Sequence, residues 1–330
     1  MNLAVLFVVA ACLAAALTPL MRHLAHATGV VDVPGTRKVH RVAVARTGGM
    51  AVVLASGLAV ALFVWLDPQG AGGAGAWSGP MVPVLVSAML VLAVGAADDM
   101  ASLPAWLKLG VETGATALVI SAGITINHVT FFGTTYALGP LAPLVTWLWV
   151  LAVTNAFNLM DGLDGLATGL AIIAAATCAT VLMARDHTPE AVLLIALAGA
   201  LSGFLPFNIF PASVFLGDAG SLVIGFILAV TAMTGWQKGT TVLAGAVPLL
   251  IFALPLADLA VVAVRRMSAR TPDGPARGAW AALHRVLQPD QRHVHHRLLA
   301  LGYSQWQVVL MLHGLALLCS LLALLSFRRS

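Results

Sequence analysis

Charged side chains are scarce in this sequence. Only 13 of its 330 residues are acidic and 17 are basic, whereas 60% of the residues are hydrophobic. A water-soluble domain cannot place so much apolar surface in its interior. The composition therefore excludes an ordinary soluble protein and predicts a chain for which hydrocarbon is the main solvent.

Cysteine is equally rare. Cys12, Cys178 and Cys319 are far apart in the chain, and each lies inside an apolar stretch. This distribution argues against a disulfide framework and against a cysteine-rich metal site. We expect all three residues to serve as packing side chains.

Long apolar stretches make up most of the chain, and about ten of them are long enough for a helix to cross a bilayer. The predicted spans are 2–21, 48–66, 81–97, 106–126, 140–157, 166–184, 189–206, 220–235, 240–264 and 305–326. The first stretch lacks a basic start and is followed by further spans, so we interpret it as a helix and not as a signal peptide. We therefore predict an all-α polytopic membrane protein in which residues 1–330 form a single domain.

Basic residues are unevenly divided between the two sides of the predicted membrane. Alternation of the spans places five segments on one side, namely 22–47, 98–105, 158–165, 207–219 and 265–304. These segments hold 12 lysines and arginines, the opposite set holds four, and Lys108 lies just inside the fourth span. Because loops rich in Lys and Arg stay in the cytoplasm, we predict that the five segments face the cytoplasm.

Carboxylates recur on this predicted cytoplasmic side, at the ends of apolar spans, where charged groups are costly and indicate function. Asp98-Asp99 ends the third span. Adjacent carboxylates on a helix point in different directions. We expect one to face a metal or the reacting group, while the other is paired or tunes the pKa of its neighbour. Taken alone, the pair also fits a polar stop at the membrane interface.

The segment Asn155–Gly165 is more specific. Asn155, Asn158, Asp161 and Asp164 follow one another at intervals of three residues. On a helix, this spacing would place four oxygen-bearing side chains on one face. Oxygen ligands suit a hard cation such as Mg²⁺, which takes few protein ligands and keeps phosphate and water oxygens.

Asp218 lies near the start of the eighth predicted span, in a Gly-rich segment. The backbone N–H groups of such a segment can also bind phosphate. Phe215 lies three residues earlier. Its ring fits either a membrane-interface anchor or a platform that stacks on a nucleobase.

A basic, His-rich segment follows nearer the C-terminus and contains His293, His295, His296 and Arg297. The histidines alone would suit zinc. No cysteine is near them, however, and Arg297 would repel a cation, so we favour binding of phosphate oxygens. Lys108, and Lys38 in the first cytoplasmic segment, are expected to add phosphate contacts.

With these motifs, the sequence resembles the polyprenyl-phosphate N-acetylhexosamine-1-phosphate transferases. The likeness rests on Asp98-Asp99, on segment 155–167 and on segment 215–222, which occur in the same order. Segments 31–40 and 293–296 are similar to those of the undecaprenyl-phosphate GlcNAc-1-phosphate transferase branch. The resemblance covers nearly the whole chain.

The resemblance implies a reaction between UDP-N-acetylhexosamine and polyprenyl phosphate that yields a polyprenyl-diphospho-sugar and UMP. Such an enzyme works at the cytoplasmic face of a bacterial inner membrane and initiates a lipid-linked cell-envelope glycan, such as lipopolysaccharide or teichoic acid. It requires Mg²⁺, for which Mn²⁺ is a candidate substitute. The expected partners are the two substrates and the bilayer, with no nucleic acid, and a homodimer is left open.

The same resemblance implies roles for individual residues. Asp218 and Asn158 ligate Mg²⁺, Asp98 deprotonates or orients the lipid phosphate with support from Asp99, and Lys108 holds phosphate. The remaining residues are assigned to the nucleotide sugar or to the polar network around it. They are Phe215 on the uracil, Asp164 near the base, Asp161 in the network, and Lys38, His293, His295, His296 and Arg297 on the diphosphate or amino sugar.

Alternatives remain at this point. The reaction could proceed by direct attack or through a covalent aspartyl-phosphate at Asp98, and the sugar could be another UDP-amino sugar. A hydrolase of polyprenyl diphosphate would need an activated water but no stacking aromatic. A transporter of anionic metabolites would need ionisable groups near the membrane midplane, for which Glu112 and Asp258 are the candidates.

Overall fold

The computed structural model describes residues 2–33, 42–79, 81–131, 134–236, 249, 251–268 and 293–328. These residues form eleven α-helices. In chain order they are α1 Leu3–Thr28, α2 Gly48–Leu66, α3 Met81–Ala101, α4 Ala105–Ser121, α5 Ala142–Met160, α6 Leu166–Met183, α7 Thr188–Asn208, α8 Gly217–Trp236, α9 Ala253–Ser268, α10 Val294–Ala300 and α11 Gln305–Arg328.

The described residues also form two short antiparallel ribbons and two 3₁₀ turns. Strand β1 (Val31–Asp32) pairs with β2 (Val44–Ala45), and β3 (His128–Phe131) pairs with β4 (Thr134–Ala137). The 3₁₀ turns are Ala74–Trp77 and Gly139–Leu141. The protein is thus an all-α polytopic membrane protein, as predicted from its composition.

Eight of the helices are long and apolar enough to cross a membrane, namely α1, α2, α3, α5, α6, α7, α8 and α11. They match eight of the ten predicted spans. The fourth predicted span corresponds to α4, which is a shorter helix of 17 residues. Most of the ninth predicted span, 240–264, lies outside the described residues, and α9 covers its last part.

Local sequence signals explain where several helices begin and end. The Asn2 side chain accepts a hydrogen bond from the Ala4 N–H at 3.0 Å and so caps α1. Gly29 ends that helix in the left-handed region at φ 79°, where glycine is unstrained. Pro104 precedes α4, at a position where its missing N–H is not needed.

Helix α8 is the most buried of the candidate spans and packs against α2, α3, α5 and α6. Close approach is possible because small residues face one another at these crossings. A methyl group on Gly95 of α3 would lie 2.6 Å from the Ala219 Cα, and one on Gly49 of α2 would overlap the Gly220 backbone. The start of α8 is therefore held tightly between two neighbouring helices.

Strand β2 and the start of α2 also form backbone hydrogen bonds with the segment that leads into α8. Phe215 N–H donates to the Ala45 carbonyl at 2.8 Å, and Gly48 N–H donates to the Phe215 carbonyl at 3.0 Å. A third bond runs from Gly49 N–H to the Leu216 carbonyl at 2.8 Å. These bonds fix the turn from which α8 begins, next to the C-terminal end of α3.

Candidate active site

The polar motifs meet at one end of the helical bundle. The end of α3 supplies Asp98 and Asp99, the start of α4 supplies Lys108, and the start of α8 supplies Asp218. The prediction that these groups lie together is therefore confirmed by their contacts.

Asp99 holds the N-terminus of α8. Its Oδ1 accepts a hydrogen bond from the Asp218 N–H and its Oδ2 accepts one from the Ala219 N–H, both at 3.0 Å. The first N–H groups of a helix have no partner within the helix, so a carboxylate from α3 satisfies them here. Arg46 Nη2 lies 3.4 Å from Asp99 Oδ1. Asp99 is thus the paired member of the two adjacent carboxylates.

Asp98 has a different environment. Its Oδ1 accepts a hydrogen bond from the Leu103 N–H at 2.6 Å, and its Oδ2 accepts one from Lys108 Nζ at 3.1 Å. The same ammonium group donates to Asp218 Oδ2 at 2.7 Å. Lys108 therefore bridges the carboxylates of α3 and α8, and Asp98 is the member of the pair that faces the shared polar site.

Asp161 joins these groups to form what we call the carboxylate cluster, consisting of Asp98, Asp99, Asp161 and Asp218. Burial of the Asp161 carboxyl raises its pKa well above the ordinary value, and the nearby charges of Asp218 and Asp99 raise it further. Among the residues that the structure describes, the basic partners of the cluster are Lys108 and Arg46. Within the described part of the chain, four carboxyl groups face two cations, which gives this part of the site surplus negative charge when all are ionised.

The prediction that Asn155, Asn158, Asp161 and Asp164 share one face of a helix is wrong. Helix α5 ends at Met160, and residues 161–165 form a turn. Gly165 takes a φ of 78°, which an α-helix cannot contain and which glycine adopts without strain. The spacing of three residues therefore carries Asp161 and Asp164 off the helix.

Each of the four side chains has its own environment. Asn155 Nδ2 donates to Glu112 Oε2 at 2.6 Å, within the bundle. Asn158 interacts with the Asp218 carboxylate. Asp164 Oδ2 accepts a hydrogen bond from the Ala212 N–H at 2.9 Å and so ties the 161–165 turn to the segment before α8. Of the four, Asn158 is the one that forms a side-chain hydrogen bond with Asp218.

Hydrogen bonds from residues of α6 and α7 hold the turn that carries Phe215. Asn208 Oδ1 accepts a hydrogen bond from Thr168 Oγ1 at 2.7 Å, while its Nδ2 donates to the Val214 carbonyl at 3.0 Å. The Phe215 side chain is partly exposed beside Asp218 in the chain. Its stacking on a nucleobase stays a prediction.

The His segment, residues 293–297, begins helix α10 and packs against the 161–165 turn. His295 is buried, and a methyl group on Gly162 would lie 2.6 Å from its Nε2. Burial, followed by the neighbouring His296 and His293 rings, lowers the pKa of His295 to about 3. The ring therefore joins two segments of the site, and its contact with a diphosphate or amino sugar stays a prediction.

The other members of the segment differ in exposure. His293 is buried, His296 is partly buried and Arg297 is exposed. Their contacts with a diphosphate or amino sugar stay predictions. Lys38, which was expected to bind phosphate, lies outside the described residues.

Three residues with polar contacts to the motif residues were not predicted as site residues from the sequence. Arg46 contacts Asp99, Glu112 contacts Asn155, and Asp258 contacts His293 at 2.7 Å between Oδ2 and Nδ1. Glu112 and Asp258 were noted only as ionisable groups that a transporter could use. Their pairing with neighbouring polar side chains accounts for them without a transport pathway.

All three cysteines are free, as expected, but a packing role fits only Cys178, which is buried, whereas Cys319 is partly buried and Cys12 is exposed. The fold and the site together define a multi-pass α-helical membrane protein with a lysine-bridged carboxylate cluster at one end of its bundle. A model of the family described as glycosyl transferase family 4 matches residues 81–236, which include Asp98, Lys108 and Asp218.

Several bacterial proteins with assigned names are similar over most of the chain. A Bacillus subtilis (strain 168) protein named probable undecaprenyl-phosphate N-acetylglucosaminyl 1-phosphate transferase is 30% identical over 98% of this chain and 84% of its own length. The decaprenyl-phosphate N-acetylglucosaminephosphotransferase of Mycobacterium tuberculosis (strain ATCC 25618 / H37Rv) is 33% identical over 89% of this chain and 74% of its own. The undecaprenyl-phosphate alpha-N-acetylglucosaminyl 1-phosphate transferase of Escherichia coli (strain K12) is 26% identical, with coverages of 91% and 77%. The chain belongs to glycosyl transferase family 4.

Proposed function

We propose that the protein transfers N-acetylglucosamine-1-phosphate from UDP-GlcNAc to polyprenyl phosphate and releases UMP. The observation that carries this proposal is the Lys108 bridge between Asp98 and Asp218 at one end of an apolar helical bundle. A lipid acceptor reaches such a site from the bilayer and a nucleotide sugar reaches it from water. The names of the similar proteins support polyprenyl phosphate as the acceptor and N-acetylglucosamine phosphate as the transferred group.

The proposed reaction joins an oxygen of polyprenyl phosphate to the β-phosphorus of UDP-GlcNAc. The bond from that phosphorus to the oxygen between the two phosphates breaks, and UMP leaves with the electron pair. Because two anions must approach one another, positioning and neutralisation of charge are the main tasks of the protein. Lys108 would bind phosphate oxygens, and Asp98 would orient the lipid phosphate or accept its proton.

We also propose that Asp218 and Asn158 hold Mg²⁺, for which Mn²⁺ could substitute. Both side chains offer oxygen, the ligand that Mg²⁺ prefers, and the surplus negative charge of the carboxylate cluster favours a divalent cation. When bound, the ion would neutralise charge on the diphosphate. Asp99 would then act indirectly, since its hydrogen bonds to the start of α8 set the position of Asp218.

The nucleotide and sugar would lie towards Phe215 and the His segment. We place this end of the bundle on the cytoplasmic side of the bacterial inner membrane, since the segments on this side carry 12 of the 17 lysines and arginines.

The test is a panel of UDP-sugars with the purified protein in detergent. We expect UMP release from UDP-GlcNAc that requires both undecaprenyl phosphate and Mg²⁺, with less from UDP-GalNAc and least from UDP-glucose. UMP release without the lipid acceptor would favour a hydrolase. Lack of UMP release from every UDP-sugar would contradict the proposal.

A further inference from the structure

Asp258 of α9 anchors the His segment to the helical bundle. Its Oδ2 lies 2.7 Å from His293 Nδ1, and its Oδ1 accepts a hydrogen bond from the Val294 N–H, also at 2.7 Å. The side chains of both His293 and Asp258 are only 4% exposed. Both oxygens of one buried carboxylate therefore bind two consecutive residues at the start of α10.

This contact determines the tautomer of His293. A carboxylate can only accept, so Nδ1 must carry the proton that lies between the two groups. The other ring nitrogen, Nε2, is buried and has no hydrogen-bond partner among the described residues. Buried polar atoms in folded proteins nearly always have a partner, so an unpaired Nε2 indicates a place for a bound group.

The His293 ring lies beside the candidate active site. It stacks on the His295 ring at a centroid distance of 5.8 Å and an interplanar angle of 9°. His295 in turn lies against Gly162 in the turn that follows Asn158. A shift of the His293 ring would therefore displace His295, which contacts the turn that carries Asp161.

We propose that Asp258 is a positioning residue, which holds His293 with Nδ1 protonated and Nε2 directed to the diphosphate or amino sugar of the nucleotide substrate. The inference rests on the proposed function, because that function supplies the ligand. Asp258 itself does not touch the substrate. It acts through His293, in the way that a carboxylate behind a ligating histidine fixes the ring and its tautomer.

The test is a double-mutant cycle of Asp258→Asn and His293→Ala in the full-length protein. Each single change is expected to lower kcat/KM for UDP-GlcNAc by about 10- to 100-fold. The double variant should be no worse than His293→Ala alone, because Asp258 acts through that ring. The KM for undecaprenyl phosphate should stay the same in all three variants.

Two further variants separate positioning from general support of the fold. Asp258→Glu keeps the carboxylate and should recover part of the kcat/KM that Asp258→Asn loses. If the asparagine variant does not fold, Asp258→Glu takes its place in the double-mutant cycle with His293→Ala. Val294→Pro removes the backbone bond to Asp258 but leaves the His293 contact in place, and it exchanges a partly buried valine side chain for another apolar one. His293 already has an extended backbone with φ −63° and ψ 156°, so proline is compatible with the next position. We expect Val294→Pro to lose less than about threefold, a small fraction of the effect expected from the carboxylate.

A matched control is Glu190→Gln, which alters another His–carboxylate contact, with His187 at 3.6 Å, at the opposite end of α7. It should leave the kcat/KM for UDP-GlcNAc unchanged. The inference is wrong if the effects of Asp258→Asn and His293→Ala multiply, if Asp258→Asn equals the control, or if Val294→Pro is as harmful as Asp258→Asn. If the wild-type protein neither releases UMP nor gains thermal stability from UDP-GlcNAc, the proposed function fails, and this inference fails with it.

Discussion

Neighbouring residues in the carboxylate cluster have separate tasks because their directions differ. Asp99 uses both oxygens to bind the first N–H groups of α8, whereas Asp98 shares Lys108 with Asp218. The sequence predicted this division from helix geometry alone. Helix geometry could not say which of the two would face the site, since that depends on how α8 packs against α3; only the family resemblance assigned that role to Asp98.

Replacement of Asp218 by asparagine should abolish turnover. The change keeps the shape of the side chain but removes the charge that pairs with Lys108 and that is proposed to hold Mg²⁺. We expect kcat to fall by more than about 100-fold. The measurement is UMP release at saturating substrates, together with the thermal midpoint of the purified protein.

The control for this change is Asp186→Asn, at an exposed position with φ 58° just before the start of α7, away from the carboxylate cluster. Asparagine tolerates that conformation. The control should keep wild-type activity. If Asp218→Asn retains more than about one tenth of wild-type kcat, Asp218 is not a metal ligand.

Replacement of Asp161 by asparagine should stabilise the protein. Because the pKa of Asp161 is raised in the folded state, ionisation of this carboxyl opposes folding, and the cost grows as the pH rises above the ordinary value of about 4. Asparagine removes that cost. We expect the thermal midpoint at pH 8 to rise by about 2 °C in the absence of divalent cations.

The gain from Asp161→Asn should shrink as the pH is lowered and disappear below about pH 3, where the wild-type carboxyl is protonated in both the folded and the unfolded state. Thermal scans at several pH values give this comparison. A midpoint at pH 8 that is unchanged or lower than that of the wild type would mean that Asp161 is well accommodated as an ion.

Helix ends decide the geometry of the site at the level of secondary-structure elements. The starts of α4 and α8 and the ends of α3 and α5 all contribute polar groups. Apolar stretches predicted the existence of these helices well, because their length and composition are strong signals. The end of α5 was less predictable, since the spacing of Asn155, Asn158 and Asp161 continues a helical pattern into a turn formed around Gly162 and Gly165.

Replacement of Gly49 by alanine should separate α2 from α8. The added methyl group would overlap the backbone of Gly220, and backbone atoms cannot move aside cheaply. We expect a loss of about 1–3 kcal/mol in stability and reduced activity, because the start of α8 carries Asp218. Thermal unfolding and UMP release are the two measurements.

The matched control is Gly57→Ala on the same helix, where an added methyl group meets nothing within 4 Å. Alanine favours a helix over glycine, so this variant should be as stable as the wild type or slightly more stable. Equal stability of the Gly49 and Gly57 variants would argue against the tight α2–α8 crossing.

The whole molecule gathers its polar motifs at one end of an apolar bundle. The order of the spans predicted this gathering, because alternation places every motif on the same side of the membrane. The partners of Arg46, Glu112 and Asp258 could not be predicted from the sequence, for a physical reason. Each contacts a residue far away in the chain, and such pairings depend on helix packing that has no local signal in the sequence.

The orientation of the bundle can be measured with single cysteines in a variant that lacks the three native ones. We expect Ser102→Cys, near the carboxylate cluster, to react with a membrane-impermeant maleimide only after cells are permeabilised. Asp186→Cys, at the other end, should react in intact cells. The reverse pattern would place the site on the outer side of the membrane.

The most direct test of the central claim follows the β-phosphorus of the nucleotide sugar. UDP-GlcNAc labelled with ³²P at the β-phosphate is incubated with the protein, undecaprenyl phosphate and Mg²⁺, and the lipid and water phases are then separated. We predict that the label enters the lipid fraction in equal amount to the UMP that appears in water. Label that stays in water as UDP, while the sugar enters the lipid, would contradict transfer of the sugar phosphate as a unit.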